Sequence, residues 1–181
     1  MGRPKAELRV GGRPILEYLL ERIQWPGPTL LVTAPGREHP PGWEQFGREM
    51  VDTVAGEGPL RGIATALEAA EPSTIVVVTT CDMPGVTSEQ FHWLADAIAS
   101  RPLAQGVLLR RADDIEPFPT AFRAASLPSL REQLARGRRA VHALALLDGF
   151  VLIDAPSEWT DEVWINLNEP ADFDRFIGQS H

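Results

Sequence analysis

Apolar residues along this chain fall into two rhythms. Four short unbroken runs, Leu30-Leu31-Val32-Thr33, Ile75-Val76-Val77-Val78-Thr79, Gly106-Val107-Leu108-Leu109 and Phe150-Val151-Leu152-Ile153, are bounded by turn residues. They predict buried strands, because a strand covered on both faces carries apolar residues at every position. Between them the spacing lengthens to a helical period. Residues 15–23 follow Pro14, and Leu60, Ile63, Leu67 and Ala70 follow Gly58-Pro59; proline suits a first helical turn, where its missing N–H has no intrahelical partner. Thr87 with Gln90 predicts a capping box ahead of Phe91, Leu94, Ala95 and Ile98. Ser126 predicts the cap of a helix that stops at Gly137, and a further helix is expected over residues 141–147. The last begins near Asn168, a good N-cap residue, with Pro170 just inside and Phe173, Phe176 and Ile177 on its apolar side.

Strands alternating with helices imply βαβ units, hence an α/β fold with a parallel or mostly parallel sheet and helices on both faces. Such a sheet binds ligands at the C-terminal ends of its strands. The proline-rich residues 26–41 read as an irregular surface loop, since strand signals flank them. One element is missing from this pattern: the first helix has no strand ahead of it. In a doubly wound sheet the first strand is usually central, so the expectation is a single domain over residues 1–181 whose first strand lies upstream of residue 1, Met1 being an internal methionine. Met1-Gly2-Arg3-Pro4-Lys5 also has the look of the second half of a phosphate-handling motif, its glycine-rich first half lying upstream.

Composition narrows the function. With 181 residues, 44% of them hydrophobic, the chain is large enough for one real core. A net charge of -8 argues against counterion-release binding to a nucleic acid backbone. No apolar run approaches the ~20 residues that span a bilayer, and the start is unlike a secretory leader; a cytoplasmic location is expected. Cys81 is the sole cysteine, and the histidines are scattered at positions 39, 92, 142 and 181, so a zinc site has little support. Of 17 basic residues only Lys5 is a lysine. A lysine is a compact point charge on a flexible stem, which suits a single phosphate oxygen in a tight loop better than a planar fork does.

Three segments carry candidate chemistry. Cys81-Asp82-Met83-Pro84 follows the most hydrophobic strand, where an acid can hold Mg²⁺ together with substrate phosphates; the plain alternative is an aspartate that caps the end of a strand. Asp52 ends the short strand Met50-Val51 and precedes Gly56-Glu57-Gly58-Pro59-Leu60-Arg61-Gly62, a glycine loop opening a helix whose free N–H groups can accept an anion or merely turn the chain. Asn166 and Asn168 flank Leu167, so an extended backbone puts both amides on one side, although Asn168 is also a candidate cap for the last helix. The five tryptophans share no spacing and are assigned to packing, as is Cys81.

Taken in order, Met1-Gly2-Arg3-Pro4-Lys5-Ala6, Gly11-Gly12-Arg13-Pro14, Gly58-Pro59-Leu60-Arg61-Gly62-Ile63, Cys81-Asp82-Met83-Pro84 and Asn166-Leu167-Asn168-Glu169-Pro170 resemble the bacterial molybdenum cofactor guanylyltransferase family nearly end to end. Glu116-Pro117-Phe118-Pro119 and Gly137-Arg138-Arg139 also look like that family's C-terminal half. The resemblance implies a three-layer Rossmann-like nucleotidyltransferase fold. It further implies transfer of GMP from GTP to molybdopterin, with Mg²⁺ required and pyrophosphate released. The small-molecule substrates would then be GTP and molybdopterin, with transient contact to cofactor-delivery or acceptor proteins. Carried over by position, Lys5 and Asp82 are catalytic, Lys5, Asp52, Gly58, Pro59, Leu60 and Asp82 bind nucleotide, Asp82 binds metal, and Asn166 and Asn168 bind the pterin substrate. Two alternatives stay open: a related nucleotidyltransferase using CTP or a sugar phosphate, and a non-catalytic remnant of the family acting as a binding protein.

Overall fold

The computed structural model describes residues 5–179, so the Met1-Gly2-Arg3-Pro4 half of the opening motif lies outside the described residues. Lys5 begins a 3-10 turn, Lys5–Glu7, which leads into an antiparallel hairpin of β1 (Arg9–Val10) and β2 (Arg13–Pro14). Gly11 and Gly12 close the hairpin with φ of 56° and 80°, the left-handed pair that a two-residue turn demands and that glycine enters without steric cost. The α1 helix (Ile15–Ile23) follows directly and buries Ile15, Leu16, Leu19 and Ile23, one apolar stripe of the predicted period.

The strands β3 (Leu30–Thr33) and β4 (Arg48–Val51) pair in parallel. The α2 helix (Pro59–Glu68) starts at the expected proline and buries Leu60, Ile63 and Leu67. After β5 (Ile75–Val78) comes α3 (Ser88–Ala99), whose predicted capping box is present: the Gln90 side chain accepts from the Thr87 N–H at 2.9 Å. Next come β6 (Gly106–Arg111), β7 (Asp114–Arg123), α4 (Leu127–Ala135), β8 (Phe150–Asp154) and α5 (Pro170–Gln179).

Four details differ from the sequence reading. The strand β7 was not expected, since Pro117 and Pro119 sit inside it; they fall where its pairing with β6 breaks register, Val107 facing Ala121 but Leu109 facing Glu116, and an interrupted ladder tolerates residues without an N–H. The segment expected as a helix over residues 141–147 is a 3-10 helix, Val141–Leu146, burying Val141 and Leu144. Ser126 makes no capping bond to α4; its hydroxyl donates to the Arg123 carbonyl at 2.7 Å. Asn168 does not cap α5 with its side chain either. The Asp172 carboxylate reaches back and accepts from the N–H groups of Asn168 at 3.1 Å and Glu169 at 2.8 Å, meeting donors that a helix start leaves without partners.

The larger sheet has the order β5-β7-β6-β8. β7 is antiparallel to both neighbours and β8 is parallel to β6, so β5, β6 and β8 run one way and only β7 is reversed. This is the expected α/β architecture with a mixed central sheet. Val107, Leu108 and Leu109 of β6 are fully buried, as the middle of a covered sheet requires. The helices fall into two groups: α1 meets α3 and α5, with Tyr18 edge-on to Phe176 and Trp25 edge-on to Phe91, while α2 and α4 pack on each other. The pair β3-β4 forms a second sheet, and α2 packs over β3, β4 and β5, bridging the two.

Candidate active site

Because β5, β6 and β8 point the same way, the loops at their C-terminal ends share one edge of the sheet. The loop after β5 holds Asp82. Its Oδ1 accepts from the Thr80 hydroxyl at 2.5 Å and its Oδ2 from Lys5 Nζ at 2.5 Å, while the side chain remains 13% exposed. Lys5 also donates to Asn168 Oδ1 at 2.6 Å and to Asn166 Oδ1 at 3.5 Å. An ammonium has three donors, and here three side-chain oxygens converge on it. Residues 5, 82, 166 and 168, far apart in the chain, therefore form one cluster at the edge where an α/β sheet handles ligands.

Local structure explains the convergence. Burial alternates along residues 165–168, Ile165 and Leu167 being buried and Asn166 and Asn168 exposed, and a tight turn closes there from the Asn168 N–H to the Asn166 carbonyl at 2.9 Å. The Leu167 N–H donates to the Asp82 carbonyl at 2.8 Å, which ties this segment to the Asp82 loop. Gly85 lets the two approach, because a Cβ there would collide with the Glu162 carbonyl. Lys5 is positioned by its own turn, closed by Leu8 N–H to the Lys5 carbonyl at 3.1 Å. Thr80 and the Leu167 backbone were not anticipated. The signal for Thr80 was a hydroxyl two residues before a loop carboxylate, a spacing that favours such a bond.

Among the described residues, the other expected site residues make no hydrogen bond or ion pair with this cluster. Asp52 follows β4, and its Oδ1 accepts from the Thr65 hydroxyl of α2 at 2.5 Å. Gly58 has φ 73° and stands at the N-cap of α2 with no side-chain cap, and Pro59 opens the helix. The Leu60 side chain is fully buried in the core, so only its backbone faces any ligand. Free N–H groups of an uncapped helix start can meet an anion. Glu57 beside them pairs with Arg61 at 3.0 Å and with Arg139 at 3.6 Å.

Burial, and to a lesser degree the neighbouring Asp82 charge, push the Cys81 thiol up to about 11, so it stays protonated and unreactive near neutrality. Among the described residues no group of three or more His, Cys, Asp or Glu side chains forms a metal cage. Asp82 nevertheless suits a hard cation bound chiefly by a ligand's phosphates: each oxygen accepts a single hydrogen bond, which leaves lone pairs open. No helix among the described residues is long and apolar enough to cross a membrane.

Residues 1–148 match a family described as the MobA-like NTP transferase domain. The chain is 32% identical over 179 residues to a probable molybdenum cofactor guanylyltransferase of Deinococcus radiodurans, across 98% of this chain and 88% of that protein. It superposes with a TM-score of 0.81 on molybdopterin-guanine dinucleotide biosynthesis protein A from Archaeoglobus fulgidus, at 20% identity and covering 99% and 91% of the two chains. A 2-C-methyl-D-erythritol 4-phosphate cytidylyltransferase from Thermus thermophilus gives 0.70 at 19% identity, covering 98% and 94%; at these identities the likeness to solved structures is one of fold. The family match over residues 1–148 and a relative aligned along nearly the whole chain lead to one conclusion: the chain belongs to the MobA-like NTP transferase family and is a nucleotidyltransferase.

Proposed function

We propose that the chain transfers GMP from GTP to the terminal phosphate of molybdopterin. The observation that carries this reading is the convergence of Lys5, Asp82, Asn166 and Asn168 on one point at the end of β5. An acceptor phosphate oxygen attacks the α-phosphorus of GTP and a new P–O bond forms. The bond from that phosphorus to the oxygen bridging to the β-phosphate breaks, and pyrophosphate leaves with the electron pair. Two anions must meet for this, so catalysis is in-line positioning plus cationic neutralisation. Lys5 supplies a fixed ammonium, and Asn166 and Asn168 hold it and offer amide N–H groups to a phosphate. Asp52 and the backbone of Gly58, Pro59 and Leu60 bind the nucleotide on the β4 and α2 side. Asp82 would hold Mg²⁺, which when bound adds positive charge beside the phosphates. No protein nucleophile takes part, in keeping with the buried neutral thiol of Cys81.

The test is pyrophosphate release by the purified chain with molybdopterin, Mg²⁺ and either GTP or CTP. Release with GTP is expected, and Asp82→Asn should lower it by about 100-fold or more while the unfolding temperature holds, since a charge is lost at nearly constant volume. Faster release with CTP, or an unimpaired Asp82→Asn variant, would overturn the assignment.

A further inference from the structure

The wall that carries Asn166 and Asn168 continues away from Lys5 into a second group of side chains. Arg111 ends β6, and its guanidinium lies over the Trp164 ring, 5.3 Å from the centroid. Trp164 stands two residues before Asn166 and rests on Trp159, with ring centroids 5.9 Å apart. Arg111 Nε donates to Glu116 Oε1 at 3.0 Å, and Glu116 Oε2 has no hydrogen-bond partner among the described residues. Glu116 sits where β7 and β6 lose register, a place where strands re-aim side chains.

Its position along the sheet edge matters. β7 separates β5 from β6, so with strands ~4.8 Å apart β6 runs about 10 Å to the side of β5, and its end at Arg111, paired with Asp114, reaches further along the strand direction than Val78, paired with Thr120. Asp52 and the glycine loop belong to β4 and α2, toward the opposite edge of β5. A reaction joining two phosphate compounds needs its second substrate on the far side of the Lys5–Asp82 pair from the first. The β6 side is what remains of the C-terminal edge.

We propose that Glu116, Arg111 and Trp164 bind the ring of the acceptor, a heterocycle with a 2-amino-4-oxopyrimidine edge; this rests on the transfer reading above. Such an edge presents two parallel N–H donors, and a carboxylate answers them with two oxygens. A guanidinium already stacked on an indole offers the ring a flat cationic surface. Lys5 and the two asparagines then meet the phosphate end of the same molecule.

The experiment uses the whole chain with pterin and with 2,4-dioxopteridine, which lacks the 2-amino donor, and reads quenching of ligand fluorescence. The native chain is expected to prefer pterin by about 10-fold or more, the scale of a hydrogen bond to a charged group. Glu116→Gln should erase that preference, Trp164→Ala should weaken both ligands, and GTP affinity should stay within about twofold in each variant, a split that simple structural damage does not produce. Equal affinity of the native chain for the two ligands, absence of saturable quenching, or a preference that survives Glu116→Gln overturns the proposal. A chain that reads pterin in this way yet never consumes GTP would sink the transfer reading and leave the pterin site standing; the reverse result sinks the pterin site alone.

Discussion

Lys5 is the only lysine in a chain with 16 arginines, and its surroundings give that choice a physical reason. Its three acceptors, on Asp82, Asn166 and Asn168, surround one nitrogen, whereas a guanidinium spreads its donors over a plane and reaches further. Lys5→Arg should therefore lower kcat for pyrophosphate release by about 10-fold or more, about 1.4 kcal/mol of lost stabilisation, despite conserving charge. Native kinetics in that variant would reduce Lys5 to a surface charge. Cys81 makes a second prediction at this scale. With its thiol pushed up to about 11 by burial, its thiolate fraction keeps rising up to about pH 11, so alkylation by iodoacetamide, followed by intact mass, should be slow at pH 8 and accelerate steadily toward pH 11. The sign for stability follows: the folded state holds the proton more tightly than the unfolded one, so the contribution is whole below the unfolded value and is lost as pH rises through about 11. An alkylation rate that levels off near pH 9 would contradict the burial.

At the scale of elements, the site depends on how closely residues 161–168 approach the loop after β5. Leu167 N–H bonds the Asp82 carbonyl, and Gly85 gives way to the Glu162 backbone. Gly85→Ala should push the segment outward, costing about 1–3 kcal/mol of stability as overpacking usually does and raising the acceptor KM more than the GTP KM, because the asparagines move and α2 does not. Thermal unfolding and paired KM measurements check this; a Gly85→Ala variant with stability and both KM values unchanged would show that the contact has slack. The amides were legible in the sequence because an extended chain alternates with period two, and Ile165 and Leu167 pin the register by their burial. The capping role offered for Asn168 was not settled by spacing: its Oδ1 accepts from Lys5, and the start of α5 is tied instead by Asp172, whose carboxylate accepts from the N–H groups of Asn168 and Glu169. β7 stayed hidden for a different reason. Its two prolines argue against a strand by every local rule, and only the register break opposite Leu109 makes room for them.

The whole molecule raises the question of the two sheets. Among the described residues β3 pairs only with β4 and β5 only with β7, yet α2 packs over all three of β3, β4 and β5. Every residue of β3 and of β5 is partly exposed, while Val107, Leu108 and Leu109 of β6, which has a strand on each side, are fully buried. Val76, Val77 and Val78 form the kind of apolar run that belongs in the middle of a sheet, so sequence and environment disagree at β5 and agree at β6. Among the described residues no strand lies between β3 and β5, so each keeps one side without a ladder partner. The helix-and-strand alternation made an interrupted sheet legible, whereas the strand sides left open emerge only from the pairing order. Alternate amides of a strand point to opposite neighbours. In the chain of residues 1–181, every second amide of β3 and β5 should therefore exchange with solvent within minutes, while those of β6 stay protected. Uniform protection of β5 at the level of β6 would mean that this side is covered. If the exchange alternates as expected, the Asp82 loop stands on a strand with one free side, and the bonds from Lys5 to Asp82 and from Leu167 N–H to the Asp82 carbonyl are what hold that loop in place.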